Sequence, residues 1–164
     1  LCALKGNPCL VSVGTAEKLA ACLALGASGG VVRGRTTLQQ AVGAAGVDVI
    51  LDPVAGAQLG EHLSLLNTDG RLVLIGLMGG RQAEVDLGRL LVKRLRLLGS
   101  TLRSRSAEDK AALMAALQQQ VWPGFASGRL RPVVDRRFPW TEAGAAHAHV
   151  AANRNTGKVV LQLP

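Results

Sequence analysis

A chain of 164 residues and 17.0 kDa holds one domain with a sizeable core but not two full ones. Its 48% hydrophobic content excludes a disordered tail, and with 2% aromatic residues and no tyrosine the core must be built from Leu, Val and Ala. The formal charge of +8 points to small anionic ligands or polyanions without choosing between them.

The chain alternates short β-like runs with helical ones. "LCALKGNP" reads as the last turn of a helix and a loop, and "CLVSV" (Cys9–Val13) as a strand. Thr15 can cap a helix over Ala16–Leu25 that Gly26 ends. "GGVV" (Gly29–Val32) is a second strand and Thr36–Val42 a brief helix. Val47–Leu51 is a strand, Gln58–Leu66 a helix, and Arg71–Gly76 a strand with hardly a polar residue after its first. A helical piece follows around Leu87–Leu91, then a strand at Leu95–Gly99. Ser106 caps a long helix with a Leu113, Leu117 and Val121 stripe, closed by Pro123 and Gly124. In the last part, "LRPVVDRRF" and "GKVVLQL" are β-like segments around a helix over Thr141–Ala152.

Strands apolar at successive positions are covered on both faces, and connections long enough to carry helices permit parallel pairing. The expected class is α/β: a Rossmann-like parallel sheet with helices on both faces. Ligands of such sheets lie across the carboxyl ends of the strands. Three of those ends are small-residue turns: Val13-Gly14-Thr15, Asp52-Pro53-Val54-Ala55-Gly56 and Gly76-Leu77-Met78-Gly79-Gly80. They are expected to share one rim, where small residues let the backbone approach a ligand; the plainer reading is that glycine ends strands anywhere. No first strand with a glycine-rich turn into a helix precedes Cys9, so the fold is expected to lack its first strand.

"EKLAACLALGAS", "GVDVILDPVAG", "GRLVLIGLMGG", "KRLRLLGSTLRSR" and "NTGKVVLQL", in this order, resemble the carboxyl-terminal half of zinc-independent quinone oxidoreductases of the medium-chain dehydrogenase/reductase superfamily. The resemblance implies NADPH-dependent reduction of a quinone in a full enzyme, a cofactor domain paired with a largely β catalytic domain, and a homodimer joined around Val85–Ser100. It divides the chain into an incomplete dinucleotide-binding domain, 1–126, and a tail, 127–164, crossing toward a catalytic domain that is absent.

It also implies a site. Gly14 or Thr15 with Lys18 would meet the cofactor's 2'-phosphate, and no acid occupies the end of the strand itself, where an NAD-binding carboxylate would stand. Lys18 reads otherwise as an exposed first-turn lysine. Arg33 would stack on the adenine and pair with the phosphate, or face solvent. Asn153 or Arg154 would reach the same phosphate from the tail. Gly76, Leu77 and Met78 would lie near the nicotinamide, with Leu102, Arg103 and Ser104 in the same neighbourhood.

No catalytic residue is expected, since hydride transfer asks for a dry, shaped slot more than for an ionisable group. Asp52, with no acid or His at an informative spacing, is expected to organise a turn. His62, His147 and His149 are expected to be structural or at the surface, and Cys2, Cys9 and Cys22 fit no metal spacing or disulfide framework. No metal, membrane span or signal peptide is expected, and a reducing, cytoplasmic setting suits the three cysteines. Two other classes compete: a noncatalytic interaction or dimerisation protein derived from a reductase, and a weak nucleic-acid-binding module using Lys93, Arg94, Arg96, Arg103 and Arg105. The second has no aromatic platform for bases.

Overall fold

A computed structural model describes all 164 residues. Strand β1 (Leu10–Val13) runs through Gly14 into Thr15, whose Oγ1 accepts the Lys18 N–H at 3.3 Å and so caps α1 (Ala16–Ala24). The chain reverses at Gly26, φ +94°, and β2 (Gly29–Val32) returns parallel to β1, with Leu10 opposite Gly29 and Val13 opposite Val32. A reciprocal capping box between Thr37 and Gln40 opens α2 (Leu38–Val42).

The second unit is β3 (Val47–Asp52), α3 (Leu59–Leu65), β4 (Leu66–Leu74), α4 (Leu87–Val92) and β5 (Arg96–Gly99). Its three strands form a parallel sheet in the order β3-β4-β5, with Ile50 opposite Leu72 and Leu72 opposite Leu97. The core lies here. Leu59, Leu63, Leu66, Leu72 and Leu95 are buried together, and Val47, Ile50, Leu74, Val85 and Leu90 pack against them.

Helix α5 (Ala107–Gln120) is capped by the Ser106 hydroxyl, which accepts the Asp109 N–H. Helix α5 ends at Gln120, just before Pro123 and Gly124, and these two lie in a further short helix, α6 (Trp122–Ala126), with the proline in its first turn, where its missing N–H leaves no helical acceptor unmatched. The α5 stripe is not buried, since Leu113 and Leu117 remain 49% and 39% exposed. The last unit is β6 (Val134–Pro139), α7 (Ala143–Ala151) and β7 (Lys158–Gln162), a parallel pair with its crossover helix.

The strands are parallel, as the apolar runs require, but they form three sheets, β1-β2, β3-β4-β5 and β6-β7, and not one. β1 and β3 each pair along a single edge, and Leu10, Val49 and Leu51 are exposed on the faces of these strands. The molecule exposes 11392 Å², where a folded monomer of this mass exposes about 7,700 Å².

Candidate functional site

Residues from three distant segments meet where β1 enters α1. Lys18 faces away from the cap that its own N–H completes, and its Nζ donates to the Asn153 backbone oxygen at 2.9 Å and to Asn153 Oδ1 at 2.7 Å. Arg33 follows β2, where its N–H donates to the Val13 oxygen at 2.9 Å, and its Nη1 reaches the Ser12 oxygen at 3.4 Å. Gly14 lies between these groups: a Cβ there would stand 3.4 Å from Arg33 Nη2 and 3.9 Å from Asn153 Nδ2. Gly14, Thr15, Lys18, Arg33 and Asn153 are thus brought together. Arg154 is exposed and its side chain makes no hydrogen bond or ion pair, while the turn beyond α7 holds Asn153 at φ +53°, with its side chain bonded to Lys18.

Glu17, the nearest acid, does not stand in for the missing carboxylate. It is an exposed first-turn residue of α1, and its own backbone N–H, then the Thr15 hydroxyl, with Arg35 nearby, hold its pKa below the ordinary value. What remains is a small-residue cradle flanked by an ammonium and a guanidinium, which fits a phosphate.

The second rim is built from the turns after β3 and β4. Asp52, at the end of β3 and 2% exposed, accepts the N–H groups of Val54 at 2.7 Å and Ala55 at 3.0 Å on Oδ1. Its Oδ2 pairs with His62 Nδ1, from α3, at 2.8 Å. Burial alone would raise this carboxyl, but the hydrogen bonds from Ala55, His62 and Val54 outweigh it and the pKa lies below the ordinary value. The turn so held docks on the next one: the Met78 N–H donates to the Pro53 oxygen at 3.3 Å and the Gly79 N–H to the Val54 oxygen at 2.7 Å. A Cβ on Gly76 would lie 2.6 Å from the Pro53 oxygen, and one on Gly56 would collide with the Gly79 carbonyl. These glycines serve backbone contact between turns, a demand distinct from the ligand approach that the sequence suggests.

Gly76 is half-buried on this rim, while Leu77 and Met78 are 51% and 78% exposed. Leu102, Arg103 and Ser104 follow β5 at the same sheet end, all exposed; the Arg103 oxygen accepts from Lys110 Nζ, and no hydrogen bond joins them to the other two groups.

Asp52 organises its turn as the sequence suggests, but its His62 partner escapes sequence reasoning. A second pair escapes it too: His149 Nε2 lies 2.8 Å from Asp135 Oδ2, whose Oδ1 accepts the Thr156 N–H at 2.9 Å. The members of each pair lie on different elements, a strand and the helix that follows it, so the periodicity of neither element marks them. No three His, Cys, Asp or Glu side chains are grouped as a metal-ligand set, and no helix is long and apolar enough to cross a membrane.

The sequence pattern of the zinc-binding dehydrogenase family matches residues 25–161. The quinone oxidoreductase of Sus scrofa is 33% identical over 127 residues, 77% of this chain and 37% of that protein. Quinone oxidoreductase-like protein 2 of Bos taurus is 31% identical over 162 residues, 94% of this chain and 45% of that one. Among solved structures, the quinone oxidoreductase of Thermus thermophilus, known also in complex with NADPH, is 34% identical and aligns with a TM-score of 0.82 over 98% of this chain and 52% of its own. The chain therefore spans about half, or less, of the proteins it matches. It belongs to the zinc-binding dehydrogenase family, as a homologue of the quinone oxidoreductases of the medium-chain dehydrogenase/reductase superfamily.

Proposed function

We propose that this chain is the cofactor-binding part of an NADPH-dependent, zinc-independent quinone oxidoreductase, and that Gly14, Thr15, Lys18, Arg33 and Asn153 hold the 2'-phosphate of the cofactor, with Arg154 nearby in solvent. Its ordered motifs also resemble those of the p53-inducible quinone oxidoreductase, which we propose as a model for the parent enzyme. The observation that carries the reading is the approach of Arg33 and Asn153 to Gly14, with Lys18 bonded to Asn153 across 135 residues of sequence. When bound, the nicotinamide supplies a hydride to the quinone. The chain's own part is to fix the adenosine end by charge and to wall the nicotinamide end with Gly76, Leu77 and Met78, joined by Leu102, Arg103 and Ser104.

The exposed area supports a second body in the whole protein. The excess over a compact monomer is about 3,700 Å², whereas a standard interface removes only about 800 Å² from each partner. A homodimer through the Val85–Ser100 edge, where β5 has one free side, would cover a fraction of it. A catalytic domain against α5, β1 and β3, toward which residues 127–164 would cross from the cofactor-binding residues 1–126, accounts for more. The same arithmetic disfavours a purely noncatalytic dimerisation protein. The nucleic-acid reading loses one of its five cations, since Arg94 forms a two-pronged pair with Asp69 at 2.8 Å.

Titration of NADPH and NADH against this chain and Lys18→Ala tests the reading. The preference for NADPH is expected to shrink by about 1.5 to 3 kcal/mol, the range of a hydrogen bond to a charged group. Unchanged discrimination in the variant removes Lys18 from the site.

A further inference from the structure

We propose that Asp52 and His62 are positioning residues that hold the nicotinamide side of the site in shape, acting through the turn at Pro53–Gly56. The proposal rests on the nucleotide reading above and extends it to a buried pair that touches no ligand. Ala55 sits at φ +56° and ψ −140°, a backbone conformation that a residue with a Cβ rarely adopts. Such a conformation persists only where its surroundings impose it, and here the imposing group is visible. The Ala55 and Val54 N–H groups both point into Asp52 Oδ1, and Ala55 itself is 3% exposed.

The carboxylate cannot do this alone. Its second oxygen is buried, and without a donor it would be free to rotate away from the turn or to take up a proton. His62 supplies that donor at 2.8 Å from α3, where its neighbours Leu59 and Leu63 are core residues. The orientation of Asp52 is thereby tied to the best-packed part of the molecule. From the turn, the path to the site is two backbone hydrogen bonds, Met78 to Pro53 and Gly79 to Val54, together with the close approach of Gly76 to the Pro53 oxygen. A shift of the Pro53–Gly56 turn must therefore move Gly76, Leu77 and Met78. It need not move Gly14, Lys18, Arg33 or Asn153, which share no hydrogen bond with this rim.

That separation makes the test specific. Two ligands are titrated against the wild-type chain, Asp52→Ala, His62→Leu and His62→Asn: NADPH, which spans both ends of the site, and adenosine 2',5'-bisphosphate, which reaches only the phosphate end. Amide hydrogen exchange at Val54, Ala55, Met78 and Gly79 is followed in the same samples. In Asp52→Ala, which removes the acceptor of both turn amides, and in His62→Leu these four amides are expected to exchange at least tenfold faster and NADPH to bind at least tenfold more weakly, with adenosine 2',5'-bisphosphate within twofold of wild type. His62→Asn, whose side-chain amide can present an N–H near the place of Nδ1, is expected to restore both readouts. Should His62→Leu not fold, His62→Gln, which displaces the donor by one methylene, takes its place with the same expectation. Equal losses for both ligands, unchanged exchange at the four amides, or failure of His62→Asn to rescue would each overturn the positioning role. If wild-type chain binds neither ligand, the nucleotide reading falls, and the exchange rates and their rescue still decide whether Asp52 and His62 set the rim.

Discussion

Lys18 holds Asn153 at two points, donating from Nζ to both its backbone and its side-chain oxygen across 135 residues of sequence. The contact joins the first β-α unit to the turn between α7 and β7, and it occupies a cation that the phosphate reading also requires. An ammonium has three donors, so the two uses are compatible. The tail is in this way part of the candidate site and not merely a connection out of it.

Two substitutions at Asn153 separate the latch from the backbone shape. Asn153→Gly tolerates φ +53° and removes only the Oδ1 acceptor, so a loss of about 0.5 kcal/mol is expected for this exposed contact. Asn153→Ala keeps the Cβ in the left-handed region but loses the polar side chain that lets asparagine tolerate it, and is expected to lose about 1 to 2 kcal/mol. Urea denaturation midpoints measure both, and an alanine variant as stable as the glycine one would show that the turn relaxes without strain.

Acid stability is expected to depend on Asp52. Folding lowers its pKa below the ordinary value of 3.8, so between the two values the unfolded chain binds more protons and folding is favoured by rising pH. This contribution is complete above the ordinary carboxyl range, shrinks as pH falls through 3.8, and is gone below the lowered value. Asp135 shifts the same way, through the Thr156 N–H and then His149. In Asp52→Asn the acid limb of a stability profile measured by circular dichroism from pH 6 to 2 should flatten; a limb as steep as wild type would assign acid unfolding to other carboxylates.

Glycines at the rim and elsewhere should respond oppositely to alanine. At Gly76 the new Cβ would meet the Pro53 oxygen at 2.6 Å, a backbone atom fixed by its own hydrogen bond, and a loss of about 2 to 4 kcal/mol is expected. Gly144, inside α7 with open space at its Cβ position, should gain about 0.5 to 1 kcal/mol from helix propensity. Thermal unfolding of the two variants checks the contrast, and a harmless Gly76→Ala would mean that the two turns are not packed as described.

Features set by local chemistry were legible in the sequence. The hydroxyls of Thr15 and Ser106 announce their helices because a cap needs only its own next three residues, and the double-sided apolar runs at Ile50 and Leu72 announce parallel pairing. The cluster of Gly14, Lys18 and Arg33 was readable by resemblance, since it follows two strand ends that are themselves readable. Pairings decided by tertiary packing were not. Nothing near Asp52 points to His62, because α3 brings them together only after its leucines bury. The division of the strands among three sheets was equally hidden, since an apolar run shows that a strand is covered and says nothing of which strand lies beside it.

The last prediction concerns chemistry by the 164-residue chain on its own. Hydride transfer requires donor and acceptor held about 3 to 3.5 Å apart, in a slot from which water is excluded. The residues proposed to wall the nicotinamide do the opposite: Leu77, Met78 and Leu102 are 51%, 78% and 62% exposed, and nothing stands over them. The adenosine end is better made, with Lys18, Arg33 and Asn153 already in place. Binding without turnover is therefore the expected outcome: measurable affinity for NADPH, and no quinone-dependent loss of its absorbance above the uncatalysed rate with a simple para-quinone. Light scattering on the same sample distinguishes the competing classes, because the exposed edges of β1 and β3 and the uncovered leucines of α5 favour self-association. An ordered, inactive dimer would favour the interaction reading. Robust quinone-dependent turnover by monodisperse chain would mean that the open rim closes on its ligands, and the argument from exposure would fail.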